Sequence, residues 1–302
     1  MFLVISTTML LFFVLIARSD AKANWGYGEK DGPGVWPGTC RVGTRQSPVD
    51  ISPSDVYFSP LPRLNFFNYD RKGPVVLENT GNTGLRLTLT HLRAADRSGV
   101  TNDHLVVVRG FDEWGEKRPF ISGGGLKERY QLLQVHLHWA QRNDTGSEHT
   151  IASLHYPAEI HFVHVKKSFV PGSREPLEDD AIAMVGVFLI ISNDSSPLFE
   201  IASNFLTITK AGSVSDMIKM EPQYLLPQFR EPFYRYEGSL TTPPCDEAVV
   251  WMLMAEPVSI TYSQLSSLRK LRSSSGKKIA SNNRPRSALN GRKIAFRPAL
   301  FV

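Results

Sequence analysis

Cysteine is almost absent from this 302-residue chain, which has two. That excludes a disulfide-framework mini-protein, a four-cysteine zinc module and an iron–sulfur protein, all of which need more thiolates. Glycine (22) and proline (20) are also modest, and 42% of residues are apolar, so disorder along the whole length is excluded. Neither sign of charge dominates: 34 Lys and Arg face 29 Asp and Glu, a net charge of +5 spread along the chain. This predicts a mildly basic soluble protein, and no nucleic-acid partner. Long apolar runs are missing apart from one at the start, from Phe2 to Ile16, followed by the small-residue site Ala21-Lys22-Ala23. It reads as a secretory signal peptide over residues 1–23. A membrane anchor is the alternative, but about 15 apolar residues fall short of the roughly 20 that a spanning helix needs. The C-terminal KIAFRPALFV is too short and too charged for a lipid-anchor signal. The mature protein, residues 24–302, is expected to be secreted and extracellular, with no membrane anchor.

An oxidising compartment makes Cys40 and Cys245 expected disulfide partners, with two buried free thiols as the alternative. Two sequons, Asn143-Asp144-Thr145 and Asn193-Asp194-Ser195, lie in polar stretches that read as surface turns, so Asn143 and Asn193 are candidate glycosylation sites.

No repeat and no Ser- or Gly-rich linker divides the chain, so residues 24–302 read as one domain. Short runs alternate apolar and polar residues: Leu85 to Thr90, Leu132 to Trp139 and Glu159 to His164, joined by the fuller apolar run Ala181 to Ile191. Turns such as Ser122-Gly123-Gly124-Gly125 and Asn143 to Gly146 separate them, which predicts an α+β, mainly β fold. One helix is expected after Thr261, where Thr261 and Gln264 fit a capping box and Leu265, Leu268 and Leu271 or Arg272 share a face. The basic stretch from Arg269 to Lys278 reads as a solvated helix end and loop.

Six of the eight histidines fall between 136 and 164. Residues two apart on a strand face the same way, so His136 and His138 project together, about 6–7 Å apart at the backbone, close enough to share an ion. Gln134 lies on the same face. In the next such strand Glu159, His161 and Val163 face one way, and Ile160, Phe162 and His164 the other. Either His161 or His164 offers a third ligand. Glu159 tips the choice to His161, because a metal-bound imidazole normally gives its other N–H to a carboxylate or carbonyl. Gln134 is placed to serve His136 through its amide oxygen. Three neutral imidazoles without a thiolate leave the fourth tetrahedral position of a zinc ion open to water, the mark of a catalytic site.

These residues carry a resemblance. QVHLHWA, GSEHT and AEIHFVHV, followed by YEGSLTTPPC and SNNRP, resemble an α-class carbonic anhydrase, and the similarity runs from Trp25-Gly26-Tyr27-Gly28 through Arg45 to Asp50 and on to Arg297-Pro298. The family implies a single domain on a large twisted, mostly antiparallel sheet with short peripheral helices, the α-carbonic anhydrase fold. It implies a Zn2+ cofactor bound by His136, His138 and His161, with Gln134, Glu159 and Asn282 behind them, Asn282 supporting His138 through its carbonyl. It implies Thr241 as gatekeeper and Glu148 as the carboxylate behind it. A carbon dioxide pocket would be lined by Val163, Met184, Leu240, Thr242 and Trp251, with Met184 standing where many relatives have Val.

The implied reaction is the reversible hydration of carbon dioxide to bicarbonate and a proton by zinc-bound hydroxide, with inhibition by sulfonamides and small anions. The sequence departs from the pattern at the proton-export position as well. Fast relatives keep a His near the cleft mouth to export the proton, and here that position falls on Asn82, or on Thr83 if Gly84 is no insertion. Neither titrates near pH 7, which predicts slowed turnover. His91 and His104 are candidate substitutes; His149, His155 and His164 read as structural or surface residues. The rival reading is a secreted zinc-binding matrix or interaction protein of the same fold with vestigial catalysis.

Overall fold

The computed structural model describes residues 25–81, 106–167, 177–193 and 198–299. The expected signal peptide, the alternating run 85–90, Asn82, Thr83, His91 and His104 lie outside the described residues.

Strand-forming sequence dominates, and among the described residues 13 strands join in one mixed, mostly antiparallel sheet, with Asp50–Ile51 and Thr150–Ile151 pairing apart from it. Its main path runs Ile218–Met220, Gly73–Asn79, Val106–Arg109, Tyr130–Trp139, Ala158–Lys166, Ile182–Ile191, Val249–Met254, Phe233–Gly238, Ile294–Arg297, Val56–Phe58. Ile182–Ile191 pairs in parallel with Val249–Met254 and antiparallel with Ala158–Lys166. The central strands are rich in β-branched and aromatic residues and are buried on both faces, the expected fate of strands with neighbours on each side and layers above and below. The helices are short: Thr39–Val42, Phe199–Ala202 and Tyr262–Leu268 are the α-helices among the described residues.

Two apolar layers flank the sheet. Ile160, Phe162, Val185, Val187 and Leu137 belong to the larger cluster, and Val163, Met184, Leu240 and Trp251 belong to a second on the opposite face. Each fully buried Val, Leu, Ile or Phe in these layers contributes about 1.5–3 kcal/mol. The C-terminal helix begins at the expected capping box: Gln264 N donates to Thr261 Oγ1 at 3.2 Å and Thr261 N donates to Gln264 Oε1 at 2.9 Å. It buries Leu265 and Leu268, then stops, and Leu271 reaches the same core from the turn that follows. The expected alternation from Leu132 to Trp139 is interrupted once. Leu132 pairs with His164 and Gln134 with Val163, so Leu133 is an extra residue; from Gln134 onward the period of two holds.

Cys40 and Cys245 form a disulfide, as the compartment argument expected. Among the described residues no helix is long and apolar enough to cross a membrane.

Candidate metal centre

The sheet register assembles the site. His136 lies opposite His161, His138 opposite Glu159, and Gln134 opposite Val163 across the strands Tyr130–Trp139 and Ala158–Lys166. Of the two histidines offered as a third ligand, His161 joins His136 and His138, whereas His164 turns to the larger apolar layer. There His164 Nε2 meets the Tyr69 hydroxyl at 2.5 Å, and its Nδ1 lies 3.2 Å from Ala183 O.

One nitrogen from each of His136, His138 and His161 lies within 4.8 Å of the others, and all three rings are buried. His161 Nδ1 and His136 Nε2 are 3.2 Å apart. The outer nitrogens of His138 and His161 are anchored behind. His138 Nδ1 sits 2.7 Å from Asn282 O, the carbonyl contact the resemblance implied, and His161 Nε2 sits 2.7 Å from Glu159 Oε1. With Nδ1 of His138 donating to a carbonyl, its Nε2 carries a lone pair; with Nε2 of His161 donating to a carboxylate, its Nδ1 does. Asn282 also binds the strand itself, its Oδ1 accepting from Trp139 N at 2.7 Å and its Nδ2 donating to Leu137 O at 2.8 Å. The expected bond from Gln134 to His136 is not formed. Gln134 is buried, yet neither atom of its amide has a hydrogen-bond partner; it follows directly on the irregularity at Leu133, which breaks the regular strand at that point.

Glu159 is the hub behind the histidines. Its Oε2 accepts from Glu148 N (2.9 Å) and His149 N (2.8 Å), and its Oε1 meets His149 Nδ1 and His161 Nε2, each at 2.7 Å. Burial opposes its charge, but the neighbouring His149 and His161 outweigh it and hold the carboxyl well below its ordinary range. His149, read from sequence as structural or superficial, is fully buried and links Glu159 to the Tyr236 hydroxyl at 2.6 Å, which in turn lies 2.8 Å from Ser47 Oγ. Its position directly after Glu148 was the only local sign of this role.

Glu148 is fully buried beside the triad. Its Oε1 accepts from Arg284 N at 2.8 Å and lies 3.4 Å from His138 Nδ1. Burial pushes its pKa well above the carboxylate range, against the lowering influence of the Thr241 hydroxyl and the Arg284 N–H. Thr241 is buried close enough to Glu148 to exert that influence, although its Oγ1 makes no hydrogen bond of ordinary geometry. Val163, Met184, Leu240 and Trp251 form one apolar cluster, with Met184 facing Val163 on one side and Trp251 on the other. Trp251 lies 4.8 Å from His161 between ring centroids and donates its Nε1 to Ser239 O at 3.0 Å. Thr242 is buried and accepts at its carbonyl from Cys245 N at 2.9 Å.

Gly186 had no signal in the sequence. It lies opposite His161, and a Cβ there would come within 2.4 Å of Leu253 Cδ2 and 3.2 Å of Glu159 Oε1. Of the sequons, Asn143 and Asn193 are both exposed; Asn143 Oδ1 accepts from the Arg269 guanidinium at 2.8 Å.

Three converging imidazoles, two of them with anchored outer nitrogens, set beside a buried carboxyl and an apolar wall on an open sheet, have the make-up of a metal enzyme's site. Comparison with known proteins gives the family. Residues 31–298 match the model of the eukaryotic-type carbonic anhydrase domain. The chain is 40% identical over 300 residues to a Caenorhabditis elegans protein provisionally named carbonic anhydrase 5, covering 98% of this chain and 89% of that one. It is 32% identical to human carbonic anhydrase 3, over 89% of this chain and 96% of the relative, and 32% identical to human carbonic anhydrase 7, over 90% and 97%. The chain belongs to the eukaryotic-type carbonic anhydrase family and is a lyase of that family. That family is zinc-dependent and hydrates carbon dioxide, and the histidine triad of this chain is able to hold a metal ion.

Proposed function

We propose that this protein is a secreted zinc carbonic anhydrase, converting carbon dioxide to bicarbonate and a proton, with turnover slowed at proton export. The observation that carries the reading is the convergence of His136, His138 and His161 with two of their outer nitrogens held by Asn282 O and Glu159. Three neutral nitrogen donors and no thiolate suit Zn2+ with one position left for solvent. When bound, the ion supplies Lewis-acid activation of a water molecule, a role for which carbonic anhydrases are themselves the reference case.

The chain's own residues supply orientation. Glu148, ionised, accepts the Thr241 hydroxyl proton; Thr241 Oγ1 then has only lone pairs to offer, so it accepts from the nucleophilic oxygen and turns that oxygen's own lone pair toward the substrate carbon. A divalent cation among the imidazoles favours the ionised form of Glu148, opposing the effect of burial. The cluster of Val163, Met184, Leu240 and Trp251, with Thr242 at its edge, provides a dry wall suited to a nonpolar gas. The same open position accounts for inhibition by sulfonamides and small anions. The leader at residues 1–23 and the Cys40–Cys245 disulfide support secretion, and exposed Asn143 and Asn193 are the glycosylation candidates.

The test is zinc stoichiometry together with stopped-flow hydration of carbon dioxide. We expect one zinc per chain and zinc-dependent hydration, with both lost in His136→Ala. A metal-replete protein that binds one zinc yet hydrates no carbon dioxide supports the scaffold reading instead; one that binds no zinc defeats both.

A further inference from the structure

The cations of this chain are spread along the sequence, but the fold gathers one group of them on a surface the proposed chemistry does not use. Residues 257–302 contain no Asp or Glu. Within them, residues 272–278 form a tight loop in which Arg272 and Lys278 are antiparallel bridge partners. Ser273 N donates to Lys277 O at 2.9 Å and Gly276 N to Ser273 O at 2.8 Å. Bridge partners present their side chains on one face, with Cβ atoms about 5 Å apart.

A second segment is tied to this loop. Arg272 N donates to Thr209 O at 2.9 Å, which brings Lys210 alongside, and Ser274 N donates to Gly81 O at 3.1 Å. Gly81 has φ +77°, and a Cβ there would lie 2.4 Å from Ser274 Oγ and 2.5 Å from Ala211 Cβ. The glycine therefore lets the segments at 210–211 and 273–275 close on each other. Lys210, Lys270, Arg272, Lys277 and Lys278 are all exposed, and none forms an ion pair with a carboxylate among the described residues. Arg269, by contrast, is engaged, with its Nε on Ala140 O and a terminal nitrogen on Asn143 Oδ1, each at 2.8 Å.

We propose that this surface, formed by Lys210, Lys270, Arg272, Lys277 and Lys278, binds a sulfated polysaccharide. Like charges held together by backbone hydrogen bonds without counter-charges raise the local positive potential, and a linear polyanion that spans them releases its condensed counterions on binding. A nucleic acid fits less well, because residues 263–295 contain no aromatic side chain on which a base could stack. An anionic bilayer fits less well too, because no large apolar side chain in 270–281 is exposed for insertion. The choice among polyanions rests on the proposed secretion: those met outside the cell are chiefly sulfated glycans.

The experiment measures binding of a heparin octasaccharide to the zinc-loaded mature protein by calorimetry at several NaCl concentrations. The patch variant carries Lys210→Ser, Arg272→Ser, Lys277→Ser and Lys278→Ser; the control carries Lys30→Ser, Arg71→Ser, Lys117→Ser and Lys219→Ser and loses the same formal charge. We expect the patch variant to weaken binding on the order of 100-fold and to flatten the slope of log affinity against log salt by roughly 3. The control should change affinity less than about fivefold, and both variants should keep wild-type carbon dioxide hydration, which verifies folding. The proposal is overturned if the wild type does not bind, or if the control loses as much affinity as the patch variant. It is equally overturned if a single-stranded oligonucleotide of equal charge, or phosphatidylserine vesicles, binds more tightly than the saccharide.

Discussion

Gly186 stands directly opposite His161 across the sheet, and the space its missing side chain leaves is where the Glu159 carboxylate reaches the imidazole. Gly186→Ala would force its Cβ against Leu253 Cδ2 and crowd Glu159 Oε1. Overpacking of this kind costs about 1–3 kcal/mol. Displacing a carboxylate that orients a metal-binding imidazole typically weakens metal affinity about 10–100-fold. We therefore expect a lower melting temperature and weaker zinc binding in competition with a chelator. Wild-type zinc affinity in a folded Gly186→Ala protein would remove Gly186 from this role.

The Thr241 hydroxyl gives a sharper test of the orientation argument. Thr241→Val keeps shape and burial but removes both the donor that Glu148 would accept and the lone pairs that would receive the nucleophile's proton. Loss of such alignment costs about 100-fold in rate, so kcat/KM for carbon dioxide should fall by that order while zinc content stays at the wild-type level. Thr241→Ser should restore most of the rate. Equal activity in the Val variant would mean that the hydroxyl orients nothing.

The triad was legible because a strand repeats every two residues, so His136, His138, Glu159 and His161 could be assigned to faces from spacing alone. Within the second strand spacing could not choose between His161 and His164; the carboxylate at Glu159 did, and the register agrees. What spacing could not reach lies across strands. Gly186 meets Glu159 through a neighbouring strand, Tyr236 meets His149 from 87 residues away, and Ser47 in turn meets Tyr236. The Gln134 bond is absent although the period of two holds from Gln134 onward, because spacing places a side chain on a face without fixing where its amide points. The helix after Thr261 was found by its cap but drawn too long, because buried Leu271 continues the apolar period beyond the last helical residue.

His164 predicts an acid dependence of stability. Burial, only partly offset by its hydrogen bonds, pushes its pKa down to about 3, against about 6.5 in an unfolded chain. Between those values the unfolded chain binds a proton that the folded one refuses, so stability is full above about pH 6.5 and falls as pH drops toward 3. The slope from this one group approaches about 1.4 kcal/mol per pH unit. Urea unfolding at pH 7.5, 6.0 and 5.0 should show the wild type losing more than His164→Gln by that increment. Parallel pH profiles for the two proteins would show that His164 takes up its proton in the folded state.

Proton export is where the proposed function has this chain depart from its fast relatives. At the position where the resemblance expects a titrating imidazole the chain has Asn82, or Thr83 if Gly84 is no insertion, and neither side chain accepts or releases a proton near pH 7. Two of the three described histidines outside the triad offer poor replacements. His149 and His164 are fully buried with partners at both ring nitrogens, and His155 has its Nδ1 2.9 Å from Ser147 O. The proton must then leave directly to buffer, a step that limits turnover only when substrate is saturating. Added imidazole should accordingly raise kcat by tenfold or more, general acid–base groups being worth about 10²–10⁴, and leave kcat/KM unchanged. Asn82→His should raise kcat in dilute buffer and abolish most of the response. A high kcat in wild-type protein that ignores imidazole would mean that another group, His91 or His104 first among them, already carries the proton.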